Sequence, residues 1–286
     1  MQRVIKQSTR IGISRLVAFY LLAFVISGLL WSPLIVWPEA AEGLGFLVIT
    51  GAFGPAIAAL LTIRFYEGPG SLRRWISRAF NWRINILWYL MGGLLLPLAI
   101  ASIHLIVYQA LYGMPALASQ PPWYYAAVFF PLNVLITAPI SSGMEEIGWQ
   151  GVALPGLLKR FPPLLANVFH GLLWTTWHIP LFFTTAWTGE EPLALMFAYT
   201  IPLAMILTWL TNKSSGSVLP AILLHTATNA YGAYITSEMI FASPLVNHFT
   251  AIKTAIYWGI AILLIIATRG RLGLPTDQKS GRSISA

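Results

Sequence analysis

Residues 126–158 read AAVFFPLNVLITAPISSGMEEIGWQGVALPGLL, and Glu145 and Glu146 are the two formal charges among them. A helix of about 20 apolar residues crosses a bilayer core, so this run is too long for one upright crossing. Pro131, Pro139 and Pro155 lie inside it. Each removes a backbone donor and clashes with the preceding turn, which predicts a span that tilts or breaks. Carboxylates at bilayer depth are costly, and they face a protein interior or a water-filled cavity. The surroundings extend this contrast: from Arg83 to Lys159 the chain holds no other Asp, Glu, Lys or Arg. Two carboxylates kept in such a stretch are expected to be used.

The rest of the 286 residues repeats the pattern, with 57% hydrophobic and 9% charged residues and a mean hydropathy of +0.72. Soluble domains carry about 25% charged residues. The expected fold is therefore all-α, a polytopic membrane protein of about eight helices in one bundle. Apolar stretches fall at residues 16–37, 43–63, 86–111, 126–158, 163–185, 192–211, 217–236 and 251–268. The expected organisation is a basic segment (1–15), one transmembrane domain (16–268) and a polar cytoplasmic tail (269–286), disordered over Leu274–Ala286. The first apolar run is longer than a signal-peptide core and has no small-residue cleavage site directly behind it, so it reads as a retained anchor. Cysteine is absent, which excludes disulfides, thiolate metal ligands and a cysteine nucleophile.

The net charge of +8 is distributed by loop. Arg3, Lys6, Arg10 and Arg15 precede the first stretch; Arg64, Arg73, Arg74, Arg78 and Arg83 separate the second from the third. Lys159, Arg160, Lys213, Arg269, Arg271, Lys279 and Arg282 follow the fourth, sixth and eighth, leaving Lys253 alone on the other side. The opposite loops carry Glu39, Glu42, Glu190, Glu191 and Glu238. By the positive-inside rule both termini are expected in the cytoplasm. The basic balance is thus topology and attraction to anionic lipid, and no nucleic-acid partner is expected. Within Ser71–Arg83, Leu72, Trp75, Ile76, Ala79 and Phe80 alternate with Arg73, Arg74 and Arg78. That pattern suits an amphipathic helix on the cytoplasmic surface; a short basic loop is the other reading.

Three polar constellations sit inside the apolar stretches: Glu145-Glu146-Ile147-Gly148-Trp149-Gln150, Trp174-Thr175-Thr176-Trp177-His178 and His225-Thr226-Ala227-Thr228-Asn229. Residues four apart share a helix face, which pairs Trp174 with His178, His225 with Asn229 and Glu146 with Gln150. Glu145 and Glu146 lie about 100° apart on an undistorted helix and cannot both aim at one point. At about 1.5 Å per residue, Glu145 is roughly 20 Å back from Lys159, and His178 is roughly 20 Å along from Pro163. Groups from three helices therefore reach similar depth. One chemistry for them is water activation by a carboxylate and an imidazole, with a second imidazole and an amide donating to an oxyanion. The other is a metal site with Glu145, His178 and His225 as ligands and a bound water as nucleophile. No His-Glu-x-x-His motif occurs. The sequence names no cofactor: a divalent metal such as zinc belongs to the second chemistry and is not required by the first, which is favoured. His170, two turns before His178, reads as structural, His104 as a packing residue and His248 as a solvated loop residue.

These residues resemble the CAAX prenyl protease and bacteriocin-processing (CPBP, or Abi) family of intramembrane proteases. Its pattern is Glu-Glu-x-x-x-Arg, then aromatic-x-x-x-His, then His-x-x-x-Asn or Asp on successive membrane helices. Here these are Glu145-Glu146…Gln150, Trp174…His178 and His225…Asn229. Gly51-Ala52-Phe53-Gly54-Pro55 in the second stretch and the basic run leading into Trp88-Tyr89-Leu90 are also similar to the family. The resemblance implies a peptide hydrolase in the prokaryotic plasma membrane, acting on a membrane-associated peptide or prenylated protein. It implies that Glu145 and His178 activate water and that His225 and Asn229 form the oxyanion hole; Glu146 is counted with these four in the expected catalytic set, as the carboxylate that supports the site, and Gln150 and Trp174 are expected to support it. The family's Arg position holds Gln150, which can hydrogen-bond Glu146 but cannot balance its charge. That departure leaves a non-catalytic membrane scaffold or immunity protein as an alternative. A proton-coupled transporter is a third, since intramembrane Glu and His relay protons.

Overall fold

One face of the first helix, α1 (Gln2–Val36), turns every fourth residue inward: Phe19, Ala23, Ser27 and Trp31 are buried. On the other face Val17, Leu21, Val25 and Leu29 are exposed, Leu29 at 69%. A helix that presents Leu and Val outward and Ser inward is built for a hydrocarbon solvent. The computed structural model describes residues 2–40, 43–114, 123–184, 187, 192–235 and 246–275, and it is helical with no strand among them. The chain is a polytopic all-α membrane protein. Five helical segments are long and apolar enough to span a bilayer: Arg15–Val36, Phe46–Tyr66, Ile86–Tyr112, Leu193–Lys213 and His248–Thr268. The remaining stretches are shorter or broken, and they are the ones that carry the polar constellations.

The second stretch is two helices, α2 (Phe46–Gly51) and α3 (Gly54–Tyr66), with Pro55 in the first turn of α3. Ser27 Oγ donates to the Gly51 carbonyl at 2.7 Å, which seats α1 against this joint. A surface helix follows, α4 (Ser71–Ala79), in which Ser71, Trp75 and Ala79 are buried. The amphipathic reading of this segment holds as a helix, except that Ile76 is exposed. Next come α5 (Ile86–Leu90), a π-helical turn at Met91–Leu95 and α6 (Leu96–Tyr112).

The stretch at 126–158 breaks, as its prolines predict. Helix α7 (Trp123–Thr137) ends just before Pro139, residues 138–141 turn, and α8 (Ser142–Gly148) starts anew. A π-helical turn at Trp149–Ala153 joins α8 to α9 (Leu154–Leu158). Gly148 lies against Pro55, where a Cβ would come within 2.6 Å of the proline's carbonyl oxygen. Only a glycine lets α8 approach α3 this closely. Helix α10 (Pro163–His178) runs into a 3-10 turn at Ile179–Phe183, since Pro180 ends the α-helical ladder. The chain closes with α11 (Leu193–Lys213), α12 (Leu219–Ile235) and α13 (Val246–Thr268).

Loops that sequence order separates meet at one end of the bundle. Val218 N–H donates to the Ala79 carbonyl at 2.8 Å, and Asn212 Nδ2 donates to the Leu272 carbonyl at 2.7 Å. Arg15 pairs with Glu67. The described basic loops thus gather at this end. Lys253, the exception, lies over the rings of Tyr199 at 3.9 Å and Phe249 at 5.2 Å. Helix α1 extends back from the apolar stretch through the basic segment to Gln2, and Leu272, beyond the last stretch, is fully buried. The disordered tail expected beyond Pro275, and Glu42, Glu190, Glu191 and Glu238, lie outside the described residues.

Candidate active site

The two carboxylates leave α8 in different directions and reach different helices. Glu145 points to α10: its Oε2 accepts the Trp174 indole N–H at 2.9 Å and lies 4.0 Å from His178 Nε2. Glu146 points to α12: its Oε1 lies 2.8 Å from His225 Nδ1. Both carboxylates are buried, Glu146 fully. The 100° that separates consecutive helical residues thus distributes one Glu-Glu dipeptide over two imidazoles. Trp174 stands between the pairs, with its ring meeting the edge of His225 at 5.1 Å.

Hydrogen bonding fixes one tautomer. His178 Nδ1 lies 3.0 Å from the Trp174 carbonyl, and a carbonyl only accepts. Nδ1 therefore carries a proton, and in the neutral ring the Nε2 lone pair faces Glu145. The ring is held by Trp177 at 4.6 Å, edge-on, and by Trp187, stacked at 5.7 Å. The α-helix ends at His178 because of Pro180, so the imidazole sits where the backbone turns away.

Asn229 lies one turn beyond His225 on α12, and its Nδ2 donates to Ser142 Oγ at 3.0 Å. Ser142 is the first residue of α8, three before Glu145. The bond ties the exposed end of the site to the start of the glutamate helix. Sequence reading passed over Ser142 and Trp187 and gave Trp177 no role of its own. The Ser-Ser-Gly run ahead of the glutamates could have drawn attention to Ser142, whereas nothing local distinguishes Trp187.

These helices are also where known proteins match. The model of a family described as type II CAAX prenyl endopeptidase, Rce1-like, matches residues 122–231, which contain all three constellations. A protein named CAAX prenyl protease 2 in Methanococcus maripaludis is 24% identical over 226 residues, which cover 74% of this chain and 81% of the relative. Over these residues the chain is similar to the CAAX prenyl proteases of the CPBP family. In this chain the Arg position of the Glu-Glu-x-x-x-Arg motif is Gln150, which lies in the π-helical turn one turn beyond Glu146, with its amide close enough to interact with that carboxylate. The hydrogen bond of Glu146 Oε1 is to His225.

The ligand set proposed for a metal does not form. Among the described residues no three His, Asp or Glu side chains converge to hold an ion. His225 is committed to Glu146 while His178 faces Glu145, so the three donors do not meet at one point. The other histidines stand apart. His170 is buried and stacks on Trp174 at 6.1 Å, one turn before it on α10. His104 is buried between Tyr231 and Phe249. His248 is in α13, not a loop, and stacks on Tyr112 at 4.4 Å.

Proposed function

We propose that this chain is an intramembrane endopeptidase that hydrolyses a peptide bond of a membrane-associated substrate, such as the C-terminal segment of a prenylated protein. The supporting observation is the pair of carboxylate–imidazole couples delivered by α8, α10 and α12. A separation of 4.0 Å between Glu145 Oε2 and His178 Nε2 is too long for a direct hydrogen bond and suits one shared water. Both groups accept, so such a water gives one proton to each and turns its lone pairs away from them. Attack of that oxygen on the scissile carbonyl carbon passes its proton to Glu145 or His178, and negative charge develops on the carbonyl oxygen. His225, with Glu146 balancing its charge, donates to that oxyanion from Nε2. The second N–H of the Asn229 amide is the other donor. Collapse of the tetrahedral species breaks the C–N bond, and the abstracted proton goes to the leaving amine. The name of the Methanococcus maripaludis relative supports a prenylated substrate class.

A quenched fluorescent prenylated peptide, presented to the protein in lipid nanodiscs, tests this reading. Glu145→Gln and His178→Ala are each expected to lower the rate by about 10²–10³-fold or more. Cleavage at the unaltered rate by either variant sinks it. Exhaustive dialysis against a chelator is expected to leave the rate intact, and a loss restored by zinc would put a metal back at the site. Gln150, which stands at the family's Arg position and cannot balance the charge of Glu146, is the observation that favours the scaffold reading. A cellular phenotype that survives both substitutions would establish it.

A further inference from the structure

At the basic end of the bundle, Arg15 of α1, the end of α3, α4 and the turn between α8 and α9 enclose a cleft of about 380 Å³. Its size falls within the range of small-ligand pockets, about 300–1,000 Å³. Four cationic side chains line it, Arg15, Arg74, Arg78 and Lys159, against the single carboxylate of Glu67. Glu67 is committed to Arg15. Arg74, Arg78 and Lys159 form no ion pair among the described residues. Burial, with Arg15, Arg78 and Arg160 close by, holds the Lys159 ammonium below its ordinary value. The fold therefore gathers like charges that repel one another, and Glu67 offsets that of Arg15 alone. An arrangement of that kind is relieved by an anion.

The walls define the depth. Arg15 begins the first apolar span, and Val152 and Pro155, which also line the cleft, belong to the apolar stretch that carries the glutamates. Trp75 forms another wall and donates its indole N–H to the Gly151 carbonyl at 2.9 Å. The cleft thus opens at the level where a bilayer's headgroups meet its chains, and basic pockets between transmembrane helices at that level hold phospholipid headgroups.

We propose that this cleft is a phosphate-ester site, filled by the headgroup of an anionic phospholipid whose phosphate sits among Arg74, Arg78 and Lys159 and offsets their repulsion. Bound there, the headgroup braces α1 and α4 against the π-helical turn directly behind Glu146 and Gln150. The site is distinct from the carboxylate–imidazole pairs, and its occupancy does not depend on their chemistry.

The test uses the full chain in neutral detergent, with thermal unfolding and native mass spectrometry as readouts. Phosphatidylglycerol is expected to raise the unfolding midpoint by roughly 5 °C or more and to remain bound in the mass spectrum, while phosphatidylcholine does neither. The Arg78→Gln/Lys159→Gln variant should lose both responses. Arg83→Gln, outside the cleft, should keep them. If the double variant does not fold, Arg74→Gln is expected to show the weakened response. Equal shifts by the two lipids, or full retention of phosphatidylglycerol by the cleft variants, would overturn the proposal. Sodium phosphate alone reproducing the shift would overturn the lipid as the source and assign the cleft to a soluble phosphate ester.

Discussion

Trp174 touches both halves of the site: its N–H reaches Glu145 at 2.9 Å, and its ring meets His225. A hydrogen bond to a charged group contributes about 1.5–3 kcal/mol. Trp174→Phe keeps the ring and removes the donor, so it is expected to lower kcat by about tenfold or more with little change in KM. An unaltered kcat would show that the indole only fills space. The Glu146–His225 pair makes a second residue-scale prediction. If Glu146 serves His225 alone, Glu146→Gln and His225→Ala combined should cost no more than the worse single substitution. Additive losses in kcat/KM would separate their roles. The sequence shows all five polar residues and their depth, because i, i+4 spacing and loop charges are local. It does not show which carboxylate takes which histidine. That choice rests on the approach of α12 to α8.

Prolines within the membrane helices free the carbonyl four residues back, and a freed carbonyl in hydrocarbon costs free energy unless something donates to it. This chain meets the problem repeatedly by side-chain donation. Pro155 faces back to Gly151, whose carbonyl accepts from Trp75 Nε1 at 2.9 Å. Pro202 in α11 faces back to Ala198, whose carbonyl accepts from Trp258 Nε1 at 2.9 Å. Pro33 faces back to Leu29, whose carbonyl accepts from Ser32 Oγ at 2.9 Å. Leaving one such carbonyl unsatisfied costs about 1–3 kcal/mol. Trp75→Phe and Trp258→Phe should therefore each lower thermal stability by that order. They should differ in catalysis: Trp75 holds the turn behind the glutamates, so its variant should also lose kcat, whereas the Trp258 variant should not. Equal effects on kcat would remove the link from α4 to the site. The joint of α8 and α3 gives the companion prediction. Gly148→Ala forces a Cβ into Pro55, and overpacking of this kind costs about 1–3 kcal/mol, read as a lower unfolding midpoint. Pro139 made the break before α8 legible in the sequence. The π-helical turns were not, since a one-residue insertion into a helical ladder leaves no periodic mark and is stabilised by partners far along the chain.

At the scale of the whole molecule, loop charge and helix packing are independent observations that agree. Arg15 pairs with Glu67, Val218 bonds to Ala79 and Asn212 bonds to Leu272, so loops from five places in the sequence share one end. That end holds the described Lys and Arg residues with Lys253 apart. Each basic residue near an anionic leaflet gains about 1 kcal/mol, and the sum sets which end stays in the cytoplasm. The absence of cysteine makes the orientation directly measurable, because one introduced thiol is the whole signal. Ser77 in α4 and Glu39, after α1, are both exposed and lie at opposite ends. A membrane-impermeant maleimide should label Ser77→Cys in inside-out vesicles only and Glu39→Cys in right-side-out vesicles only. Inverted labelling would mean that the basic end faces outward, against the charge rule. It would also place the phosphate cleft in the leaflet poorer in anionic lipid. Labelling of both thiols from one face would contradict the bundle itself, since α1 alone separates the two ends by its length.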